Sequence, residues 1–350
     1  MNNDINILEL TFERFQHEMA DTYGRDRYVA ADVYRQIFKN GHLDIMKSRN
    51  RSLTGPFLDK LSAGIWIPPA RIVEEKYEDS LLKFVTRLED DQTIETVVIP
   101  MISHNTLCIS SQVGCRMGCR FCETASLGFR RNLTTAEITG QVFTARFHYG
   151  YDIRNIVFMG MGEPLDNFDN VVQAIRVLTD PRGFDIAMSH ITLSTAGLTD
   201  KIGQLAELNW PLLHLAISLN APNDRIRSLI MPINQAHPME KIRETLLTYP
   251  LSRSFSFYIE YVVIKGINDS EENAFELVDF LSPLPVWFNL IPYNKGSDKG
   301  FSPTTEDDMD RFRDYLISQK AFVRKRSTRG KSIMGACGQL GHSRLDPVIF

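Results

Sequence analysis

The sequence predicts an α/β fold, a partial (β/α)6 barrel with an N-terminal helical accessory module and a β connector, on three observations. From Leu107 onward, six short β-rich runs alternate with helical stretches, which argues for parallel strands joined by helical crossovers rather than for a sandwich. The region before residue 65 lacks such runs and shows helical periodicity instead. The chain has 350 residues, 43% hydrophobic and 23% charged, a globular composition that excludes disorder, a collagen repeat and a lone coiled coil.

Taken in order, residues 1–65 read as the helical module, with amphipathic patterns over Leu8–Met19 and Ala30–Lys39. Residues 66–100 read as the β connector, ending in Ile94-Glu95-Thr96-Val97-Val98-Ile99-Pro100. The core barrel is expected over 101–331 and a C-terminal segment over 332–350. Its strand runs are Leu107–Gln112, Asn155–Gly160, His190–Thr195, His214–Leu219, Phe257–Ile264 and Trp287–Tyr293. Thr134-Thr135-Ala136-Glu137 is a capping-box pattern that opens a helix toward Phe147. Asn167–Leu178, Met239–Leu247, Glu271–Leu281 and Glu306–Ser318 read as later helices.

In such folds the loops after the strands converge at the C-terminal rim. Gly160-Met161-Gly162-Glu163-Pro164, Ser194, Ser218-Leu219-Asn220 and Asn294 all fall there. Singly, each is equally well explained as a turn residue or helix cap. Their shared position marks them as candidate site residues.

A net charge of −4 and a pI near 6.1 exclude a surface that binds polyanions everywhere, so any nucleic-acid contact is local. The densest basic run is Arg324, Lys325, Arg326, Arg329 and Lys331, which by itself reads as a solvated charge run. No apolar stretch approaches the about 20 residues of a bilayer crossing. Met1-Asn2-Asn3-Asp4-Ile5 lacks the pattern of a secretory signal, so the expected location is cytoplasmic, with no membrane partner.

Four of the five cysteines, Cys108, Cys115, Cys119 and Cys122, lie close together, and Cys337 lies far away, unlike the even spread of a disulfide scaffold. The inner three form C-x3-C-x2-C, with Phe121 before the last. Three thiolates on one glycine-bearing loop can hold three corners of a [4Fe-4S] cubane and leave the fourth iron open to a substrate. The alternative is zinc held by the three cysteines and His104 or a distant histidine, although zinc loops favour paired C-x2-C knuckles and only one such pair occurs.

C-x3-C-x2-C with an aromatic before the third cysteine resembles the signature of the radical S-adenosylmethionine (SAM) superfamily, in which SAM chelates the open iron. The resemblance extends further, through Thr106-Leu107-Cys108, Gly128-Phe129-Arg130-Arg131-Asn132-Leu133-Thr134, Gly160-Met161-Gly162-Glu163-Pro164-Leu165, Leu193-Ser194-Thr195, Met231-Pro232-Ile233-Asn234 and Ala336-Cys337-Gly338-Gln339-Leu340. These blocks, spanning Glu95 to Leu340, are similar to the RlmN/Cfr family of RNA methyltransferases.

The resemblance implies a radical-SAM barrel that methylates an adenine ring carbon, C2 in the RlmN branch and C8 in the Cfr branch. C2 in 23S rRNA, with tRNA as a further substrate, is the first expectation. Ring carbons are electron-poor and do not displace a methyl from SAM as an amine would, and a radical route avoids that problem. Two SAM molecules are used per turnover. One methylates Cys337 as a thiolate nucleophile. The other, on a cluster held by Cys115, Cys119 and Cys122, yields a radical that takes hydrogen from the Cys337 methyl. The methylene radical adds to the base, Glu95 accepts the ring proton, and Cys108 attacks the Cys337 sulfur to release product through a transient disulfide. The resemblance also places Gly162, Glu163, Ser194, Ser218, Leu219, Asn220 and Asn294 around SAM. It reads the Arg324–Lys331 run as an RNA-phosphate contact and implies an electron donor such as a flavodoxin or ferredoxin. The alternatives are Cfr-like C8 methylation, another RNA target, or a radical-SAM enzyme acting on a non-RNA substrate. Two residues depart from the family pattern: Asn220 stands where histidine is usual, and Ser332 where aspartate is common.

Overall fold

The computed structural model describes residues 5–41, 55–297, 299–326 and 329–341. Residues 1–4 and 42–54 of the expected helical module, and 342–350 of the expected C-terminal segment, lie outside the described residues. The chain opens with β1 (Ile5–Asn6), α1 (Phe12–Tyr23) and α2 (Arg27–Asn40), followed by α3 (Gly55–Gly64) and β2 (Ile65–Trp66), which returns to pair in parallel with β1. The Asp26 carboxylate caps α2 by accepting from Tyr28 N–H and Val29 N–H, both at 3.0 Å. Phe15, Met19, Val33, Tyr34, Ile37 and Phe38 are fully or almost fully buried on the inner faces of α1 and α2.

The strands expected in the β connector are β3 (Ile72–Glu78), β4 (Leu81–Arg87) and β5 (Thr93–Pro100), an antiparallel meander. β5 pairs antiparallel with β6 (Asn105–Cys108), so the meander continues directly into the barrel sheet. A ribbon of β7 (Gln112–Val113) and β8 (Arg131–Asn132) flanks α4 (Glu123–Ser126) and precedes α5 (Thr135–Phe147). Parallel strands then alternate with helices: β9 (Ile153–Phe158), α6 (Phe168–Leu178), β10 (Ile191–Thr195), α7 (Thr199–Glu207), β11 (His214–Ser218), α8 (Asp224–Ile230), α9 (Met239–Leu247), β12 (Phe257–Val263), α10 (Glu271–Leu281), β13 (Val286–Pro292), α11 (Glu306–Ser318) and β14 (Phe322–Lys325). The sheet order is β14-β13-β12-β11-β10-β9-β6-β5-β4-β3, with every pair from β6 to β14 parallel.

Two differences from the sequence reading have physical reasons. A seventh parallel strand, β14, carries part of the basic run, because alternate residues of that strand face a polar interior rather than an apolar core. The run Leu107–Gln112 divides into β6 and β7, because Ser111 N–H and Gln112 N–H both donate to Met161 O, at 2.8 and 3.1 Å, and the chain leaves the ladder. The capping box is present, with Glu137 N–H donating to Thr134 Oγ1 and Thr134 N–H to Glu137 Oε2.

One face of the parallel sheet is apolar and lies under the helices, through Ile156, Phe158, Ile191, Leu193, Leu215, Ile217, Ile259, Phe288 and Leu290. The alternate residues face a cavity of about 520 Å³. Thr106, Asn155, His214, Tyr258, Asn289 and Arg326 are among its lining residues, as is Cys337.

Candidate functional site

Cys115, Cys119 and Cys122 share the rim loop between β7 and α4, and all three are partly buried. The loop turns tightly. Gly114 has φ +72°, and a Cβ there would lie 1.7 Å from Gly128 O, so only glycine fits. Arg120 N–H donates to Ile230 O at 2.9 Å and fixes the far side of the loop. Burial pushes the Cys115 thiol up to about 12 and the Cys119 thiol well above its ordinary value, and the neighbouring cysteines push each of them further. Such thiols ionise when a cationic group binds them.

The fully buried Arg227 guanidinium faces Cys119 and donates to Leu219 O, His237 O and Asn234 Oδ1, at 3.2, 3.0 and 2.8 Å. A buried cation beside Cys119, on a loop with two further thiols, suits a group that carries thiolates, and the donor set therefore fits an iron-sulfur cluster. The zinc alternative needs a fourth ligand in reach of the loop. His104 lies before β6, at the opposite end of that strand from the loop, with Nε2 3.0 Å from Asn155 Nδ2.

The candidate SAM residues gather on the same rim. Glu163 is buried, and its carboxylate accepts from Leu165 N–H at 3.1 Å and Ala196 N–H at 2.7 Å. Burial raises its pKa to about 7 despite those hydrogen bonds. Gly162 has φ +101°, and a Cβ would lie 2.5 Å from Gln112 Cβ. Ser194 Oγ and Ser218 Oγ, on adjacent parallel strands, are 3.3 Å apart. Asn220 differs from its neighbours. Its φ is +60°, its Oδ1 accepts from Val262 N–H at 2.8 Å, and its Nδ2 donates to Met231 Sδ at 3.2 Å, so the side chain is a latch within the protein. Leu219 is buried. Asn294 Nδ2 donates to Cys337 O at 3.3 Å and ties this set to the C-terminal segment.

Cys108 ends β6 and is buried, whereas Cys337 is solvent-accessible in the wall of the cavity. Both are free thiols that face each other electrostatically. Burial, and then Cys337, push Cys108 up to about 12, while Arg326 acts in the opposite direction. Glu95 on β5 is buried with Lys83 on β4, whose Nζ lies 3.3 Å from Glu95 Oε2 and 3.3 Å from Met334 O. Glu78 holds the other end of the segment by accepting from Gly330 N–H, Ser332 N–H and Ser332 Oγ–H. At the position where the family pattern has aspartate, Ser332 is thus bonded to a carboxylate from β3.

The basic run is dispersed by the fold. Lys325 pairs with Glu306 and Asp310, at 2.8 and 2.6 Å, and Arg324 lies 5.8 Å over the Trp287 ring. Arg326 pairs with Glu260, Arg329 donates to Pro100 O at 2.7 Å, and Lys331 is exposed. Sequence reasoning missed Lys83, Arg227 and Glu260. For Lys83 and Glu260 a signal existed, a charge inside the apolar runs Leu81–Val85 and Phe257–Ile264. Arg227, on a short polar helix, had none.

No helix among the described residues is long and apolar enough to cross a membrane. Residues 109–278 match the model of the Radical SAM superfamily. The chain is 40% identical over 343 residues to "Probable dual-specificity RNA methyltransferase RlmN 1" of Protochlamydia amoebophila (strain UWE25), covering 97% of this chain and 95% of that protein. It is 39% identical to "Dual-specificity RNA methyltransferase RlmN" of Geotalea uraniireducens (strain Rf4), covering 99% and 98%. A crystal structure of a radical SAM methyltransferase from Sphaerobacter thermophilus superposes with a TM-score of 0.89 at 33% identity, covering 96% of this chain and 99% of that one.

Proposed function

The chain belongs to the RlmN family of radical SAM RNA methyltransferases, and from that premise we propose that it methylates C2 of an adenine in 23S rRNA, and in tRNA, through a methyl carried on Cys337. It is an enzyme of the transferase class whose family implies a [4Fe-4S] cluster, SAM and an RNA substrate. The observation that carries the finer reading is that buried Cys108 on β6 packs with Ile333 and Leu340 of the segment that carries Cys337, from far apart in the chain, close enough to feel the Cys337 sulfur electrostatically.

On this reading Cys115, Cys119 and Cys122 hold the cluster, and Glu163, Gly162, Ser194, Ser218 and Asn294 hold SAM, with Leu219 and Asn220 shaping the pocket from behind. When bound, cluster and SAM together supply hydrogen abstraction from the Cys337 methyl, driven by one electron from a flavodoxin- or ferredoxin-type donor, and a second SAM supplies the methyl itself. Cys337 acts first as nucleophile toward SAM. Asn294 holds the Cys337 backbone against the SAM-binding rim. Glu95 takes the ring proton, with Lys83 fixing its carboxylate. Cys108 then attacks the Cys337 sulfur and frees the methylated base. Lys331 and Arg324 are the residues of the basic run left to contact RNA phosphates.

The test is peptide mass mapping of anaerobically purified protein, with a +14 Da methyl expected on the Cys337 peptide, followed by mass analysis of nucleosides from treated 23S rRNA and tRNA. A SAM-replete, cluster-replete protein without that methyl would overturn the methyl-carrier reading. C8-methyladenosine as product would move the chain to Cfr-like chemistry.

A further inference from the structure

We propose that the N-terminal end of the barrel cavity is a stacking platform for unpaired RNA bases, formed by an aromatic row on β11 to β14 together with Arg324. The inference deepens the reading above and rests on it for RNA as the substrate.

Strand alternation builds the row. Asn289 and Ile291 of β13 line the cavity, and Trp287 has the same parity, so its ring stands on the cavity face of the sheet. In register beside it are Tyr258 on β12 and Phe322 on β14. Trp287 and Phe322 stack with centroids 5.6 Å apart and planes 12° from parallel. Tyr258 stacks in turn on His214 of β11, at 5.1 Å and 19°. Neighbouring strands thus present near-parallel ring pairs toward their N-terminal ends. Core packing does not explain the outer end of the row, since Trp287 is 38% and Phe322 65% exposed. Aromatic rings left open on a sheet face are surfaces on which unpaired bases stack.

Charge points to RNA rather than to a protein. Arg324, two residues after Phe322 on the same face, lies 5.8 Å over the Trp287 ring, lines the cavity and has no ion pair among the described residues. Lys325, Arg326 and Arg329 also line the cavity, and none of its described lining residues is Asp or Glu. The carboxylates that pair with Lys325 and Arg326, from Glu306, Asp310 and Glu260, stand outside that lining. A chain of net charge −4 therefore encloses a cavity whose charged groups are cationic, the local contact a polyanion needs. Position argues against an electron-donor protein. The Cys115–Cys122 loop sits at the opposite, C-terminal rim, and the five residues of β13 from Trp287 to Pro292 alone span about 16 Å. The same cavity reaches Cys337. A target base drawn into it leaves its unpaired neighbours over the rings.

The test is equilibrium binding by fluorescence anisotropy, with full-length, anaerobically purified holoenzyme and a labelled, unpaired oligoadenylate of about 12 nucleotides, against a blunt RNA duplex of equal length. Wild type is expected to prefer the unpaired strand. Trp287→Ala and Phe322→Ala are each expected to weaken that binding about tenfold, with Trp287→Phe restoring most of it and duplex binding unchanged. Should Trp287→Ala fail to fold, the more exposed Phe322 carries the test. Arg324→Gln is expected to lower the slope of log affinity against log salt by about one, which neither aromatic substitution should move. Unchanged affinity in either folded alanine variant overturns the proposal and leaves the exposed pair to a protein partner, and so does a wild-type preference for duplex. Equal weakening of strand and duplex, with a lowered melting temperature, would make the rings structural and overturn it as well. A wild type that binds neither RNA sinks the RNA reading and the platform with it. Weakened variants of an enzyme that makes no C2-methyladenosine keep the platform and sink only the choice of carbon.

Discussion

The two segments that meet at the rim are built in opposite ways. The loop from Cys108 to Cys122 is contiguous with the first barrel strand and bent by a glycine that no other residue can replace. The segment 329–341 arrives from the end of the last strand, packs Ile333 and Leu340 around Cys108, and is otherwise held by hydrogen bonds to scattered partners. Gly330 and Ser332 reach Glu78, Cys337 reaches Asn294, Gly338 O accepts from Glu123 N–H, and Leu340 O accepts from Thr124 Oγ1–H. A rigid scaffold suits a large inorganic group, which must be held by several ligands at once. Exchangeable hydrogen bonds suit a nucleophile that, on the proposed reading, meets SAM, then a base, then Cys108.

The sharpest way to break this contrast is to delete one thiol from each segment. Both Cys119→Ala and Cys337→Ala are expected to lose RNA methylation entirely, but only Cys119→Ala should lose iron, as read by metal analysis and visible absorption. Equal iron loss in both would erase the division of roles. Next in size, Cys108→Ala should stall after base attachment, so that a protein–RNA adduct survives on a denaturing gel; clean turnover would remove Cys108 from the release step.

Beside the Glu123 N–H that reaches Gly338 O, the buried Glu123 carboxylate accepts from exposed Ser297, through N–H and Oγ–H, and lies 3.6 Å from the partly buried Lys299 Nζ. Glu123→Ala removes these bonds while Ser297 turns to water and Lys299 keeps Cys122 O and Ser126 Oγ, so it is expected to cost about 1 kcal/mol and to lower the melting temperature slightly in a calorimetric scan.

The smallest effect is expected at Glu78. Hydrogen bonds from Ser332 Oγ–H and from nearby backbone N–H groups hold its carboxyl below the usual range. A depressed folded-state pKa stabilises above the unfolded value and is lost as pH falls through the folded one. Amide exchange at Gly330 and Ser332, corrected for intrinsic rates, should therefore quicken only as pH drops below the ordinary glutamate range. In Glu78→Gln it should already be faster at neutral pH, with iron content unchanged.

The sequence displayed the cluster loop because its ligands are covalent near-neighbours, and it displayed the rim because parallel strands end where their β-rich runs end. Thr134 and Glu137 were legible for the same reason, since a capping box is local. Resemblance alone attached roles to Cys337 and Glu95, since neither residue's surroundings can be read from adjacent positions. β14 was hidden because alternate residues of a strand facing a polar cavity do not look apolar. The union of the β3–β5 meander with the barrel was hidden because antiparallel pairing to β6 leaves no mark in the connecting residues.

By itself the sequence determined the alternation of strands and helices, the spacing of Cys115, Cys119 and Cys122, and the glycines that let the rim loop turn, all of which depend on residues within a few positions of one another. Tertiary structure alone decided that Lys83 meets Glu95, that Arg227 sits beside Cys119, and that Arg326 pairs with Glu260. Those pairings join elements far apart in the chain. A buried charge is tolerated only where the completed fold brings it a partner, and no local pattern records which partner that is.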